Sequence, residues 1–86
     1  MYQNEIVVTA KFIGRKTYNI IVSDGSKKEE SLFILPFQKD KDHVIGRLEE
    51  IRSKLAEKGM EITNEQIWNA LVLEAKRTNR GLPKLS

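Results

Sequence analysis

The fold of this chain is decided by one stretch, ITNEQIWNALVLEAKR at residues 62–77, which carries a full set of helix signals. Thr63 is a good N-cap, and Gln66 three residues later completes the reciprocal pattern called a capping box. An acidic residue near the start and basic residues near the end complement the helix dipole. We therefore expect a helix that begins after Thr63 and stops near Gly81.

One broad face of this helix is apolar. At about 100° per residue, its members are Ile67, Trp68, Leu71, Val72 and Ala75. Leu73 points to the opposite side, where it is either an ordinary exposed leucine or part of a second contact surface. The apolar face is expected to pack against the rest of the protein.

A second helix is predicted at about residues 41–58. Its apolar positions recur at spacings of four, three and four residues: Val44, Leu48, Ile51 and Leu55. Asp40 or Asp42 can cap its start, and Gly59 is expected to end it. Because only a short connection follows, the two helices should be neighbours and form a helix pair at 40–80.

Residues 1–37 favour an antiparallel sheet. Alternating and β-branched residues predict strands at 5–13 and 16–23, joined by a two-residue loop at Gly14-Arg15. That loop would place Val8 opposite Ile21 and Lys11 opposite Tyr18.

A third strand is predicted at 30–35, where an apolar run ends at Pro36. The polar segment SKKEE before it is either a hairpin tip or a solvated extension of that strand. Both faces of the sheet carry apolar residues, yet one pair of helices covers one face. The other face is either exposed or covered by a second chain.

Together these elements predict one domain of the α+β class: a three-stranded antiparallel meander followed by two helices, in the order β-β-β-α-α. Residues 81–86 are expected to form a loose basic tail. The core of an 86-residue chain is small, so we expect a homodimer to add stability.

Composition narrows the function classes. The chain has no cysteine, which excludes disulfides and thiolate metal sites. His43 is the single histidine and the five glycines are scattered, so we expect no catalytic residue, no metal site and no cofactor. No apolar run approaches a membrane span and no signal-peptide pattern is present, which favours a cytoplasmic protein away from the membrane.

Basic residues are the remaining functional candidates, since the formal net charge is +3. One predicted group lies on the first hairpin and the second turn: Lys11, Arg15, Lys16, Lys27 and Lys28. A second group lies near the C-terminus: Lys76, Arg77 and Arg80. Such residues can follow a phosphate backbone, with Tyr18 nearby for stacking on bases. Alternatively, they only protect sheet edges and solubilise turns.

The second half of the chain resembles a known family. From about Leu32 to Arg77 the predicted order is strand, helix, short turn, helix, and the last helix opens with GMEITNEQIWNAL. This part has a turn glycine, a small polar helix start and an apolar-x-x-Ala-Leu pattern: Gly59, Thr63, Asn64, Ile67, Ala70 and Leu71. In these features it resembles the ribbon-helix-helix family of DNA-binding proteins.

That resemblance implies an intertwined dimer whose paired strands enter the major groove. It also implies that backbone amides near Thr63 and Asn64 clamp a phosphate. The strand departs from the family pattern because residues 32–35 offer no polar side chain for a base edge. Either this strand pairs in a dimer, or it only completes the meander.

The sequence therefore predicts a small non-catalytic protein that binds nucleic acid, with duplex DNA as the leading partner, and acts as a regulator or accessory factor. The alternative is a protein–protein interaction module, such as a phage-type inhibitor or an assembly adaptor. It would use the second sheet face, an exposed edge strand or the Leu73 side of the last helix.

Overall fold

The computed structural model describes residues 5–37 and 40–82. Three strands, β1 (Val7–Gly14), β2 (Thr17–Ser23) and β3 (Lys28–Ile34), precede two helices, α1 (Lys41–Glu57) and α2 (Asn64–Arg77). The sheet is antiparallel with the order β1-β2-β3. The predicted β-β-β-α-α architecture is confirmed. Most of the predicted tail, at 83–86, lies outside the described residues.

Both helices pack against the sheet, α2 mainly on β1 and α1 on β3. Alternate residues of each strand face them, and the largest fully buried side chains are Phe33, Ile20, Leu48, Leu55, Met60, Ile67, Leu71, Val22 and Val44. The four predicted core residues of α1 are all buried. Within the described ranges, neither helix combines the length and apolarity needed to cross a bilayer.

The register of the first hairpin differs from the prediction by one residue. Val8 pairs with Val22 rather than with Ile21. The predicted pair of Lys11 with Tyr18 is displaced in the same way. A one-residue slip exchanges the two faces of a strand, so the predicted register would have moved the buried side chains of β2, Tyr18, Ile20 and Val22, to the open face.

The position of the turn and a β-bulge near the end of β1 together cause this displacement: the turn lies one residue later, which shifts the pairing by two, and the bulge takes back one. The pairing shifts between Phe12 and Gly14, and the turn residues are Arg15 and Lys16. Both turn residues have positive φ angles, 48° and 59°, as the favoured two-residue hairpin turn requires. The predicted loop at Gly14-Arg15 was therefore wrong by one position, because Gly14 belongs to the bulge.

The bounds of β3 decide between the two interpretations of the polar segment SKKEE, a hairpin tip or an extension of the third strand. Lys28–Ile34 form a single strand that pairs with β2 along its length. The polar segment before the apolar run is thus partly an extension of the third strand rather than only a hairpin tip. The predicted strand start at residue 30 was two residues late, because the charged side chains there lie on a strand that is only half covered.

The start of α2 matches its prediction. The Thr63 hydroxyl accepts a hydrogen bond from the Gln66 N–H at 3.1 Å, and the Gln66 side chain accepts one from the Thr63 N–H at 2.8 Å. At the start of α1, Asp40 is the N-cap. Local sequence signals therefore place both helix starts.

The two helices end by the same backbone motif. After α1, Gly59 has φ 83°, its N–H donates to Ala56 O, and the Met60 N–H donates to Leu55 O, both at 2.9 Å. This 5→2 and 6→1 pair of bonds is a Schellman motif. The predicted stop at Gly59 is confirmed.

The end of α2 corrects the predicted stop at Gly81. The helix ends at Arg77, and Asn79 takes the left-handed position with φ 56°. The Asn79 N–H donates to Lys76 O at 3.2 Å, and the N–H of the next residue donates to Ala75 O at 2.7 Å. Asparagine tolerates this conformation better than most residues, so the left-handed residue lies two positions before the first available glycine.

The buried face of α2 also differs in detail. Ala70 and Glu74 are buried, whereas Trp68 and Val72 are only half-buried. Leu73 is 70% exposed, as its position opposite the apolar face predicts. The helix is rotated so that the carboxylate of Glu74 faces the sheet, where it contacts the first hairpin next to the candidate site.

Candidate nucleic-acid interface

The Glu74 carboxylate joins the last turn of α2 to the edge of the sheet. It is 7% exposed, and it accepts the Phe12 N–H at 2.8 Å. It also accepts two bonds from Arg77, from Nε at 2.7 Å and from Nη2 at 2.8 Å. Because β1 is an edge strand, the Phe12 N–H would otherwise have no strand partner. This contact therefore fixes the first hairpin against the C-terminal end of α2.

These bonds also fix the charge of Glu74. The Arg77 guanidinium and then the Phe12 N–H lower the pKa of Glu74 to about 2, although burial acts in the opposite direction. The carboxylate is thus ionised at neutral pH. In return, Glu74 raises the pKa of Arg77.

Arg80 lies over an aromatic ring of the same hairpin. Its guanidinium carbon is 3.8 Å from the centroid of the Phe12 ring, a cation–π contact. The Phe12 ring in turn meets the Tyr18 ring edge-on, with centroids 5.2 Å apart. Among the residues that the structure describes, Arg80 forms no ion pair with a carboxylate. Its N–H groups are therefore not engaged by an internal acid.

Six of the predicted basic residues meet at this end of the molecule. We call them the basic end: Lys11, Arg15, Lys16, Lys76, Arg77 and Arg80. With Glu74 they carry a formal +5, and since the whole chain is +3, the remainder carries −2. Within the described ranges, Arg77 is the one member with an internal acidic partner. The fold therefore concentrates a modest net charge into a strongly positive end.

A cleft of about 300 Å³ opens within the basic end, between the first hairpin and the loop after α2. Its lining residues are Phe12, Lys16, Tyr18, Leu35, Asn79, Arg80 and Gly81. The Leu35 N–H donates to Lys16 O at 2.9 Å, which ties the chain after β3 to the hairpin. Burial raises the pKa of Tyr18, although the charge of Arg80 opposes this, so its hydroxyl stays protonated.

Tyr18 was predicted to stack on bases, and the structure corrects this. The side chain is 2% exposed, so its ring is covered and offers no face on which a base could stack. The cause is the hairpin register, which turns Tyr18 toward the helices instead of toward solvent.

Lys27 and Lys28 lie at the opposite end of the sheet. Lys27 Nζ donates to Lys58 O at 2.6 Å, at the C-terminal end of α1. Lys28 Nζ is 3.9 Å from a carboxylate oxygen of Glu30. The structure therefore does not bring these two predicted residues together with the other basic residues.

Thr63 and Asn64 are also remote from the basic end. They begin α2, whose 14 residues span about 21 Å before Arg77. The capping box already uses the N–H groups of Thr63 and Gln66. The Asn64 Oδ1 atom is buried without a hydrogen-bond partner in the described part of the chain, and an oxygen acceptor disfavours an anion.

A second surface lies on the sheet face that the helices leave open. Its exposed apolar residues include Val7, Ile13, Leu32 and Ile34. A cleft of about 360 Å³ adjoins it, between residues 31–34 of β3 and the side of α1 that carries Arg47, Glu50 and Lys54. The described residues contain no cluster of three or more His, Asp or Glu side chains that could hold a metal ion.

Three residues that shape the basic end escaped the sequence reasoning: Phe12, Glu74 and Asn79. The spacing of Glu74 and Arg77 at i and i+3 is a signal for a helical ion pair that could have been used. No signal in the sequence pairs Glu74 with Phe12, 62 residues away. Comparison with known proteins adds no assignment: no family model, no curated protein and no solved structure matches this chain.

Proposed function

We propose that this protein binds nucleic acid, with duplex DNA as its main partner, through the phosphate contacts of the basic end. The observation that supports this is the separation of charge, with +5 at the basic end and −2 on the remainder. A concentrated positive surface attracts the phosphate backbone and releases its counterions. Such contacts position the protein without reading sequence, which suits a small regulator or accessory factor.

The members of the basic end have different roles in this proposal. Lys16 and Arg80 line the cleft and make no internal ion pair among the described residues, so they are the primary phosphate contacts. Lys11, Arg15 and Lys76 add positive charge around them. Arg77 donates to Glu74, so it mainly orients the carboxylate that holds the hairpin on the helix.

The ribbon-helix-helix interpretation is a separate hypothesis within this proposal. It requires β3 to pair with β3 of a second copy. We expect that pairing, if it forms, to give a homodimer in sedimentation measurements at the concentrations where DNA binds. A monomer that binds DNA would remove this interpretation and leave the basic end as the interface.

The test of the proposed function is fluorescence anisotropy of a labelled blunt duplex of random sequence, titrated with the protein at several salt concentrations. Each neutralised phosphate contributes about −0.9 to the slope of log K against log[salt]. Contacts from the five cations of the basic end that have no acidic partner in the described part of the chain would give a slope of about −4 to −5. An absence of binding at low salt, or a slope near zero, would contradict the proposal.

One observation favours a second function, a protein–protein interaction module. Leu32 and Ile34 are 55% and 50% exposed on the open sheet face, next to the cleft between β3 and α1. An exposed edge strand with apolar neighbours suits an added strand from another protein. Capture of a partner that Leu32→Ser with Ile34→Ser abolishes, with DNA binding unchanged, would support this function. A wild-type protein that captures nothing would count against it.

A further inference from the structure

The cleft of the basic end is larger than a phosphate contact needs, and its lining is partly apolar and partly polar. Its volume of about 300 Å³ lies at the lower limit of sites that hold small organic ligands. Phe12 is the half-buried aromatic floor of the cleft, with Tyr18 and Leu35 buried behind it, and Lys16, Asn79 and Arg80 form a polar and cationic rim. A backbone phosphate of a duplex would contact the rim and leave the floor empty.

We propose that this cleft holds one unpaired nucleotide of a nucleic-acid strand, such as the first nucleotide of a single-stranded overhang. The inference rests on the proposed function and extends it to a preference for strand ends. The base would lie on the floor and against the guanidinium of Arg80, and its phosphate would contact Lys16 and Arg80. Unpaired bases stack readily on aromatic rings and on arginine guanidinium groups.

Arg80 is already held where this role requires it. The turn at Asn79, with φ 56°, and the bond from the Arg80 N–H to Ala75 O at 2.7 Å set the direction of the chain. The Phe12 ring then supports the guanidinium from one side at 3.8 Å. Because the side chain is ordered before a ligand arrives, less conformational entropy is lost on binding.

The two arginines near the end of α2, Arg77 and Arg80, differ in how their guanidinium N–H donors are used. Arg77 uses Nε and Nη2 on Glu74. Arg80 contacts a ring, which engages a face of the guanidinium rather than its N–H donors. Arg80 thus combines a stacking surface with donors that no carboxylate of the described residues engages, the pair of features that a nucleotide needs.

The test compares three duplexes of one sequence by fluorescence anisotropy at a single salt concentration. One is blunt, one has a four-nucleotide 5′ overhang, and one has the same overhang with abasic sites. The last two carry equal numbers of phosphates, so they differ only in their unpaired bases. We expect the wild-type protein to bind the normal overhang at least about fivefold more tightly than the abasic one, because stacking of one base contributes that much.

The variant that tests the residue is Arg80→Lys, which keeps the charge but loses the flat stacking surface. We expect it to bind the normal and abasic overhangs within about twofold of each other, and this ratio is the readout, whatever the affinity of the variant for the blunt duplex. The matched control is Arg52→Lys, a change of an exposed arginine on α1, which should preserve the wild-type ratio.

Three results would overturn the inference while the proposed function stands. The first is equal affinity of the wild type for the normal and the abasic overhang. The second is an unchanged preference in Arg80→Lys, which would place the base elsewhere. The third is displacement of the overhang duplex by free adenosine monophosphate at micromolar concentration, which would indicate a free-nucleotide site. Failure to bind any of the duplexes would instead contradict the proposed function itself.

Discussion

The two ends of the sheet use lysine and arginine in different ways. At the end that holds the β2–β3 turn and the C-terminus of α1, which we call the turn end, Lys27 donates to Lys58 O at 2.6 Å. Lys58 in turn lies 3.2 Å from a carboxylate oxygen of Glu29. At the basic end, Arg77 has an acidic partner, and the other five cations have none in the described part of the chain.

This difference shows that the same residue types are engaged within the fold at one end and lack an acidic partner among the described residues at the other. Both helices end in a Schellman motif, and both C-termini favour nearby positive charge. After α1, Lys27 supplies that charge and is engaged by the backbone. After α2, Arg77 pairs with Glu74, whereas Lys76 and Arg80 have no acidic partner among the described residues. A count of basic residues alone would not have separated these two situations.

The largest effect on folding is expected from Glu74→Ala. The change leaves the Phe12 N–H on the edge of β1 without its acceptor and frees Arg77. Loss of a part-buried, charge-assisted contact of this kind costs about 1–3 kcal/mol of unfolding free energy. Urea denaturation measures it, with Glu57→Ala in the exposed last turn of α1 as the matched control. If both variants lost the same small amount, Glu74 would not be what fixes the hairpin on α2.

The same carboxylate should make stability depend on acid. The folded-state pKa of Glu74 is about 2, below its ordinary value of 4.5. Its contribution is therefore fully present above about pH 4.5 and is lost as the pH falls through about 2. We expect the difference in unfolding free energy between wild type and Glu74→Gln to shrink across this window.

Asp24 and Asp40 also have lowered pKa values, because backbone N–H groups donate to them. They are present in both proteins, so comparison with the variant isolates the effect of Glu74. A difference that stayed constant between pH 5 and pH 2 would contradict the assigned cause.

A smaller effect is expected at the helix ends. In Gly59→Ala the residue must keep φ 83°, and its Cβ would lie 2.9 Å from Lys27 Nζ. The lysine end is flexible and can move, so the left-handed backbone carries most of the cost, about 1–2 kcal/mol. Asn79→Gly makes the reverse exchange at the basic end and should stay within about 0.5 kcal/mol of wild type. If Asn79→Gly lowered the free energy of unfolding as much as Gly59→Ala does, strain at the left-handed residue would not explain the two effects.

The helices could be predicted because their signals are local. Thr63 with Gln66 and Gly59 after the apolar stripe mark boundaries that depend on a few neighbouring residues. The stop of α2 was misplaced because Asn79 is a weaker signal than the glycine that follows. The hairpin register could not be read, since Gly14 supports either a turn or a bulge.

The candidate site was predicted only in part. The basic residues were recognised, but Lys27 and Lys28 were grouped with Lys16. The predicted meander itself implied otherwise, because successive turns of an antiparallel sheet lie at opposite ends. Burial of Glu74 could not be inferred, since its partner is the backbone of Phe12, 62 residues away.

The measurement that tests the central claim most directly is the salt dependence of duplex binding by two matched double variants. Lys16→Gln with Arg80→Gln removes two charges from the basic end. Lys28→Gln with Lys54→Gln removes two from the turn end, so both proteins have the same net charge. We expect the slope of log K against log[salt] to become shallower by about 1.8 in the first variant and to stay at the wild-type value in the second. Equal changes in both variants would show that net charge, and not the basic end, binds the phosphates.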